Sequence, residues 1–256
     1  ILSGDLLIPQ VIEEHCPLTV SYNPHSQSTQ LDAKNAMEAG GHSSTLYLAP
    51  YQTAAKGRFG RDYFCPSQGG IYMSLHLKPN LPFDQAPAYT LMVAAAIYKA
   101  LKNLALLDVD IKWVNDIYYK GKKVGGILTE AISSIETGLI TDVIIGIGLN
   151  FAITNFPTEL KDKAGSLFDS QPPITRNELI AEIWKEFFNS PEEELIYLYK
   201  QRSLVLGKEV CFEQNQTSYQ GLAKDISDSG QLLVQLTDGQ ERWLNSGEIS
   251  LKQWDL

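Results

Sequence analysis

Within "YQTAAKGRFGRDYFCP", residues 51–66, three cations fall close together: Lys56, Arg58 and Arg61, set among Gly57 and Gly60, with Asp62 the one acid beside them. Glycine lets a backbone come close to a ligand, while ammonium and guanidinium groups offer fixed charge and forked donors to carboxylate or phosphate oxygens. The chemistry that fits is the holding of an anion. The spacing is not that of a Walker loop, G-x-x-x-x-G-K-[ST], which excludes an ordinary P-loop nucleotide hydrolase. The same residues also describe a solvated surface loop whose charges serve solubility, and the segment alone does not separate the two readings.

A second group, "KWVND" from Lys112 to Asp116, is expected inside an apolar strand. Alternation there puts Lys112 and Val114 on one face and Ile111 and Trp113 on the other. A lysine on a covered face needs an anionic partner, from the protein or from a ligand; on an open face it is simply solvated. Asn115 and Asp116 are equally common turn residues. In "GIGLN", Gly146 and Gly148 interrupt a β-branched run that Asn150 closes. Glycine in a strand marks a bulge or the close passage of a backbone or ligand, and close strand packing alone accounts for it. No helix with a third glycine follows, so this is not a dinucleotide-binding turn. His15, His25, His42 and His76 are read as structural or surface residues.

The elements that must position these groups follow from pattern. "STQLDAKNAMEAGG" has a Ser/Thr start and a Gly-Gly stop, a short capped helix. "STLYLAP" and "GIYMSLHLKP" read as strands on either side of the cationic loop. "QAPAYTLMVAAAIYKALKNL" is a helix apolar on most sides, packed beneath a sheet. "DVDIKWVNDIYYKGKKVGGILTEAI" reads as two strands about a Lys/Gly turn, and "TDVIIGIGLNFA" as a buried strand. A helical stretch from Arg176 to about Gln201 precedes short strands between Gly, Asp and Asn turns, a separate small β-barrel. Hairpin-connected strands outnumber helices, which predicts α+β with a mixed, largely antiparallel sheet rather than a doubly wound fold.

Composition bounds the class. At 256 residues and 44% hydrophobic content the chain can bury a large core without disulfides or metal. A net charge of −9 argues against a broad nucleic-acid or membrane-surface role, so a local basic loop stands out. Cys16, Cys65 and Cys211 are scattered, which suggests free thiols in a reducing cytoplasm and no metal site. No stretch has the apolar length of a membrane span or the form of a signal peptide. The chain opens on Ile1 rather than Met, as a fragment would.

Taken in order, "QSTQLDAKN", "YQTAAKGRFGR", "KWVNDIYYKGKKVGGILTE", "IIGIGLNFA" and the C-terminal "GKEV", "GLAKDISDSGQLLVQ" and "GEISL" resemble the biotin protein ligases over essentially the whole chain. The resemblance implies a class II synthetase-like catalytic domain over 1–202 and an SH3-like β-barrel over 203–256. It also implies a two-step reaction: biotin and ATP give biotinyl-5'-AMP and pyrophosphate, then a lysine ε-amine on a biotin carboxyl carrier domain, of acetyl-CoA or pyruvate carboxylase, attacks the mixed anhydride. Magnesium would be held mainly by phosphate oxygens. By that resemblance Ser28, Thr29 and Gln30 fall at the biotin ring site with Gln52, and Gly57, Arg58, Lys112, Gly125, Gly126, Ile127 and Gly148 complete the biotin set. Lys56, Arg58, Arg61, Tyr63, Lys112, Asn115 and Asn150 fall on ATP or the adenylate. Lys112, Arg58 and Asp116 take the catalytic roles, with Lys112 on the family's central lysine. Gln27 stands for the usual Asp, Ala55 and Lys56 for the loop's first Gly-Arg, Val114 for the Pro of K-W-P-N-D, and Tyr63 for a Trp that stacks on adenine. Lys56 brings a point charge where Arg brings a bidentate clamp. A lipoate ligase is the alternative enzyme, though its R-R-x-S-G-G segment is missing. A biotin-sensing repressor is the other alternative, but the residues before Ser28 are too few for a winged helix, so no DNA binding is expected of this chain alone. A homodimer is left open.

Overall fold

The computed structural model describes residues 5–42, 44–247 and 249–251. Residues 1–4 of the opening stretch, residues 252–256 and Glu248 of "GEISL" lie outside them. In chain order the elements are α1 (Pro9–Glu13), β1 (Thr19–Tyr22), α2 (Thr29–Glu38), β2 (Thr45–Ala49), β3 (Gly70–Leu77), β4 (Leu81–Pro82) and α3 (Tyr89–Ala105). Next come β5 (Asp110–Lys112), β6 (Asp116–Tyr119), β7 (Lys122–Ser133), β8 (Leu139–Asn150), α4 (Arg176–Asn189) and α5 (Glu192–Gln201). The chain closes with β9 (Glu209–Gln214), β10 (Thr217–Ile226), β11 (Leu232–Leu236), β12 (Glu241–Leu244) and β13 (Ile249–Leu251).

The larger, eight-stranded sheet runs β1-β2-β3-β8-β7-β6-β5, with β4 paired onto β8. β1 and β2 are parallel and the other neighbours antiparallel, the mixed α+β sheet expected from the hairpin pattern. Alternation sets its two faces. On β3, Ile71, Met73 and Leu75 are fully buried, and the indole nitrogen of Trp184 on α4 lies 3.3 Å from Met73 Sδ. Tyr72, Ser74 and His76 point the other way, where Ser74 Oγ meets Thr29 Oγ1 of α2 at 2.8 Å. Helix α2 is fixed by Ser28, whose hydroxyl accepts from Leu31 N at 3.4 Å, and by Ala33, which packs on Tyr47 and Ile144. α3 buries Leu91 through Ile97 together with Ala100 and Leu101, which fits its apolar character on most sides.

One element differs from the sequence expectation. The chain does not run straight through "KWVND" but turns at Trp113–Asn115, so that Lys112 on β5 pairs with Asp116 on β6 and the region holds three strands rather than two. The turn residue Asn115 explains the break: its Nδ2 donates to Ile127 O at 2.7 Å, and its own carbonyl accepts from Ile127 N at 2.9 Å. A side chain that completes this pairing with β7 stabilises a turn over a continued strand.

The five-stranded antiparallel sheet, β12-β11-β10-β9-β13, is the small SH3-like unit. It buries Val210, Ala223, Ile226, Leu232 and Val234 completely. Its β10–β11 turn reaches the larger sheet, where buried Trp113 donates its indole N–H to Gly230 O at 2.9 Å. Replacing Trp113 by Phe leaves that carbonyl buried without a donor, at a cost of about 2 kcal/mol. The urea midpoint should fall accordingly at unchanged m-value; an unchanged midpoint would show that this bond does not hold the two sheets together.

Candidate functional site

On the α2 face of the larger sheet lies a cavity of about 230 Å³. Its deep wall is neutral and built on missing side chains. A Cβ on Gly146 would stand 2.5 Å from Gln30 Oε1, and one on Gly148 would stand 2.8 Å from the Tyr63 ring, so a side chain at either position of β8 would displace the Gln30 amide or the Tyr63 ring. The polar groups at this depth are already oriented. Gln52 Oε1 accepts from Thr29 N at 2.8 Å and from Thr29 Oγ1 at 3.2 Å, and Gln52 Nε2 lies 3.4 Å from Cys65 Sγ. Gln30 Nε2 donates to Glu130 Oε1 at 3.0 Å, and Glu130 is held in turn by Lys34 at 2.7 Å. Gln30 Oε1 is buried without a partner, as is Asn115 Oδ1.

The mouth is charged. The cationic loop joins β2 to β3 and folds on itself as a hairpin: Lys56 and Asp62 form a bridge, Gly57 N donates to Arg61 O at 2.7 Å, and Tyr63 N donates to Ala55 O at 3.1 Å. Lys56 and Asp62 form an ion pair, and this hydrogen bond and charge hold the Asp62 carboxyl below its ordinary range. At the tip Phe59 is 68% exposed. The Arg58 guanidinium lies 5.5 Å from the Phe59 ring and donates to Gly247 O of the smaller sheet at 3.4 Å. Across the cavity Lys123 Nζ pairs with Asp116 Oδ1 at 3.0 Å. Tyr63 lies against the wall with its hydroxyl donating to Gly148 O at 3.1 Å, and burial pushes its phenol well above the usual tyrosine value.

The structure brings Ser28, Thr29, Gln30, Gln52, Lys56, Gly57, Arg58, Arg61, Tyr63, Asn115, Asp116, Gly126, Ile127 and Gly148 to this one cavity. Lys112, Gly125 and Asn150 do not line it. Lys112 sits on β5 with β6 between it and β7, its Nζ 6.0 Å from the Tyr118 ring. Gly125 faces the other side of β7, where a Cβ would meet Leu149 at 2.5 Å. Asn150 holds the 164–168 segment instead, its Nδ2 donating to Gly165 O at 2.9 Å.

Comparisons with known proteins bear on the chain as a whole. The sequence pattern of the biotin/lipoate A/B protein ligase family matches residues 23–150, and that of the biotin protein ligase C-terminal domain matches residues 205–252. The chain belongs to the biotin protein ligases. The bifunctional ligase/repressor BirA of Bacillus subtilis is 32% identical over 240 residues, covering 90% of this chain and 73% of that one. The biotin–[acetyl-CoA-carboxylase] ligase of Mycobacterium tuberculosis is 26% identical over 216 residues, 80% of this chain and 77% of that one. Among solved structures, the biotin protein ligase of Aquifex aeolicus in complex with biotin and ATP superposes with a TM-score of 0.73 at 27% identity, covering 91% of this chain and 98% of that one.

The ligase cavity also holds residues that sequence reasoning missed, chiefly Lys123, with Ser74, Asp62, Leu128, Gly146 and Ile147. Strict alternation would set Lys123 on the same face as Gly125 and opposite Gly126. A register shift between Ile117 and Tyr118 adds a residue to β7, so Lys123 and Gly126 share the cavity face, with a Cβ at Gly126 lying 3.7 Å from Lys123 Nζ.

The tethering of the loop by Tyr63 gives a test. Gly148→Ala forces the ring from the wall, and trypsin cleavage after Arg58 and Arg61 in the ligand-free ligase should rise several-fold. Cleavage at the wild-type rate would show that Tyr63 does not restrain the loop.

Proposed function

We propose that the ligase joins biotin to a lysine of a carrier protein in two steps at this cavity. The carboxylate of biotin attacks the α-phosphorus of ATP, forming biotinyl-5'-AMP and releasing pyrophosphate. The lysine ε-amine then attacks the carbonyl carbon of the mixed anhydride, forming the amide and releasing AMP. The observation that carries this reading is the polarity of the cavity: a neutral, hydrogen-bonding depth and a mouth lined by Lys56, Arg58, Arg61 and Lys123.

Each half suits one part of the ligand. Gln30 Oε1, buried and without a partner, needs an N–H donor, which the ureido ring of biotin supplies. The dithiolane of lipoate has no such donor and would leave the acceptor buried and unmet, so the biotin reading is favoured over the lipoate one. Ser28, Thr29, Gln52 and Ser74 complete the ring site, and the wall of Gly126 and Gly148 passes the tail once the Tyr63 ring resting on it moves aside. At the mouth two anions must meet, and the four cations offset their repulsion and stabilise charge on the phosphorus as the bond forms. Tyr63 offers a flat face for adenine.

Asp116 holds Lys123 in place and is the carboxylate positioned to take a proton from the incoming amine. Magnesium would ride mainly on phosphate oxygens. Among the described residues no group of three or more His, Cys, Asp and Glu could hold a metal, and Asn115 Oδ1 with Asp116 are the oxygen donors the wall adds. Among those residues no helix is long and apolar enough to cross a membrane. The carrier is a biotin carboxyl carrier domain, a choice supported by the acetyl-CoA-carboxylase ligase among the relatives. A cytoplasmic location, a homodimer and the absence of nucleic-acid binding are not needed for the reaction.

The central cation is the test. Biotin-dependent ATP–pyrophosphate exchange should fall by about two to three orders of magnitude in Lys123→Ala, with the circular dichroism spectrum intact, and by less than about tenfold in Lys112→Ala. A larger loss in Lys112→Ala would return that role to Lys112. No exchange in the wild type would overturn the reaction itself.

A further inference from the structure

Two carboxylates line the cavity, Asp62 and Asp116, and each is paired with a lysine that lines it too. The pairs are not equivalent. Lys123 and Asp116 are 37% and 20% exposed and face each other across β6 and β7, whereas Lys56 and Asp62 are 55% and 90% exposed and both belong to the loop itself. The loop backbone makes their meeting obligatory. The Lys56–Asp62 bridge, together with the Gly57–Arg61 and Tyr63–Ala55 hydrogen bonds, sets the two residues opposite one another as in any antiparallel pair.

An acid here works against the loop's chemistry. A carboxylate at the mouth repels the same phosphate that the neighbouring cations attract, and it occupies the ammonium that would meet it. An exposed ion pair of this kind is weak and exchanges readily with another anion. We infer that Asp62 is a positioning residue that stands in for the phosphate: it holds Lys56 in the ligand-free loop, yields it when ATP arrives, and so limits how firmly the nucleotide and the adenylate are retained. The inference builds on the adenylate reading of the cavity, since retention matters only if an activated intermediate waits there for its acceptor. The position of the acid favours handing the intermediate on over storing it.

The experiment has two arms on the intact chain. The first measures the dissociation constant of ATP alone by calorimetry. The second follows loss of radiolabelled adenylate formed from biotin and labelled ATP. Asp62→Asn should tighten ATP and slow adenylate release by about two- to fivefold at low salt, with the gap closing near about 0.5 M salt. Asp62→Glu should behave as wild type. In a Lys56→Ala background the Asp62→Asn change should have a clearly smaller effect, because only the direct repulsion is left to relieve once Lys56 is gone. Unchanged or weaker ATP binding in Asp62→Asn overturns the inference. So does equal tightening in the Lys56→Ala background, which would mean direct repulsion alone. If the wild type forms no adenylate while ATP affinity responds as stated, biotin activation is refuted and the role of Asp62 stands.

Discussion

Like charges gathered at one mouth repel, and the site is organised around that repulsion. Lys56, Arg58, Arg61 and Lys123 all line the cavity, in a chain whose net charge is −9. Lys56 and Lys123 are set against carboxylates, and Arg58 rests near the ring of Phe59 and on a carbonyl of the smaller sheet. None of these arrangements discharges the mouth. They hold the cations close enough for an incoming anion to gain from several at once, which solvated lysines on an open surface would not offer. The neutral depth is the necessary complement, because an anion that finds charge only at the rim stops there with its uncharged end inside.

The sheet supplies that gradient through its backbone. Gly146 and Gly148 face the cavity on β8, and the bulge in β7 brings Lys123 beside Gly126, so one face passes from bare backbone to an ammonium within a short distance. Asn115 ties the "KWVND" turn to Ile127, and Trp113 of the same turn reaches Gly230 in the smaller sheet. The cationic loop touches that sheet independently through Arg58 and Gly247. The small unit therefore contacts both sides of the cavity mouth, the rigid turn and the loop, and its position bears on how they face each other.

Much of this was legible in the sequence. Helix α2, the strands flanking the loop, the long apolar α3 and the β-rich C-terminal unit follow from capping residues, alternation and turn chemistry, each a local signal. Ser28, Thr29, Gln30 and the loop, which the structure brings to one cavity, stood out for the same reason, being contiguous motifs. Register was less legible. Alternation was carried straight through Trp113, where the chain turns, and Lys112, which the resemblance put on the central lysine, does not line the cavity. Lys123 was read only as part of a Lys/Gly turn, and the bulge that brings it to the cavity face is decided by cross-strand pairing rather than by its own residues. Gly125 and Asn150 were assigned by the resemblance, and here one faces the core and the other holds a neighbouring segment.

The two lysine–aspartate pairs show how a site can be both ordered and receptive. The inner pair, Lys123 with Asp116, is half-buried and anchored on adjacent strands, which restrains the cation more than a loop would. The outer pair, Lys56 with Asp62, is open to water on a hairpin whose tip is apolar and exposed, and it can part without leaving a buried charge unmet. A lysine rather than an arginine suits that outer position, since a point charge on a flexible stem changes partners without the matched geometry that a bidentate clamp must break. On the proposed reading, fixed charge inside and exchangeable charge outside would let one cavity define where the anion sits while leaving its entry and departure to the loop.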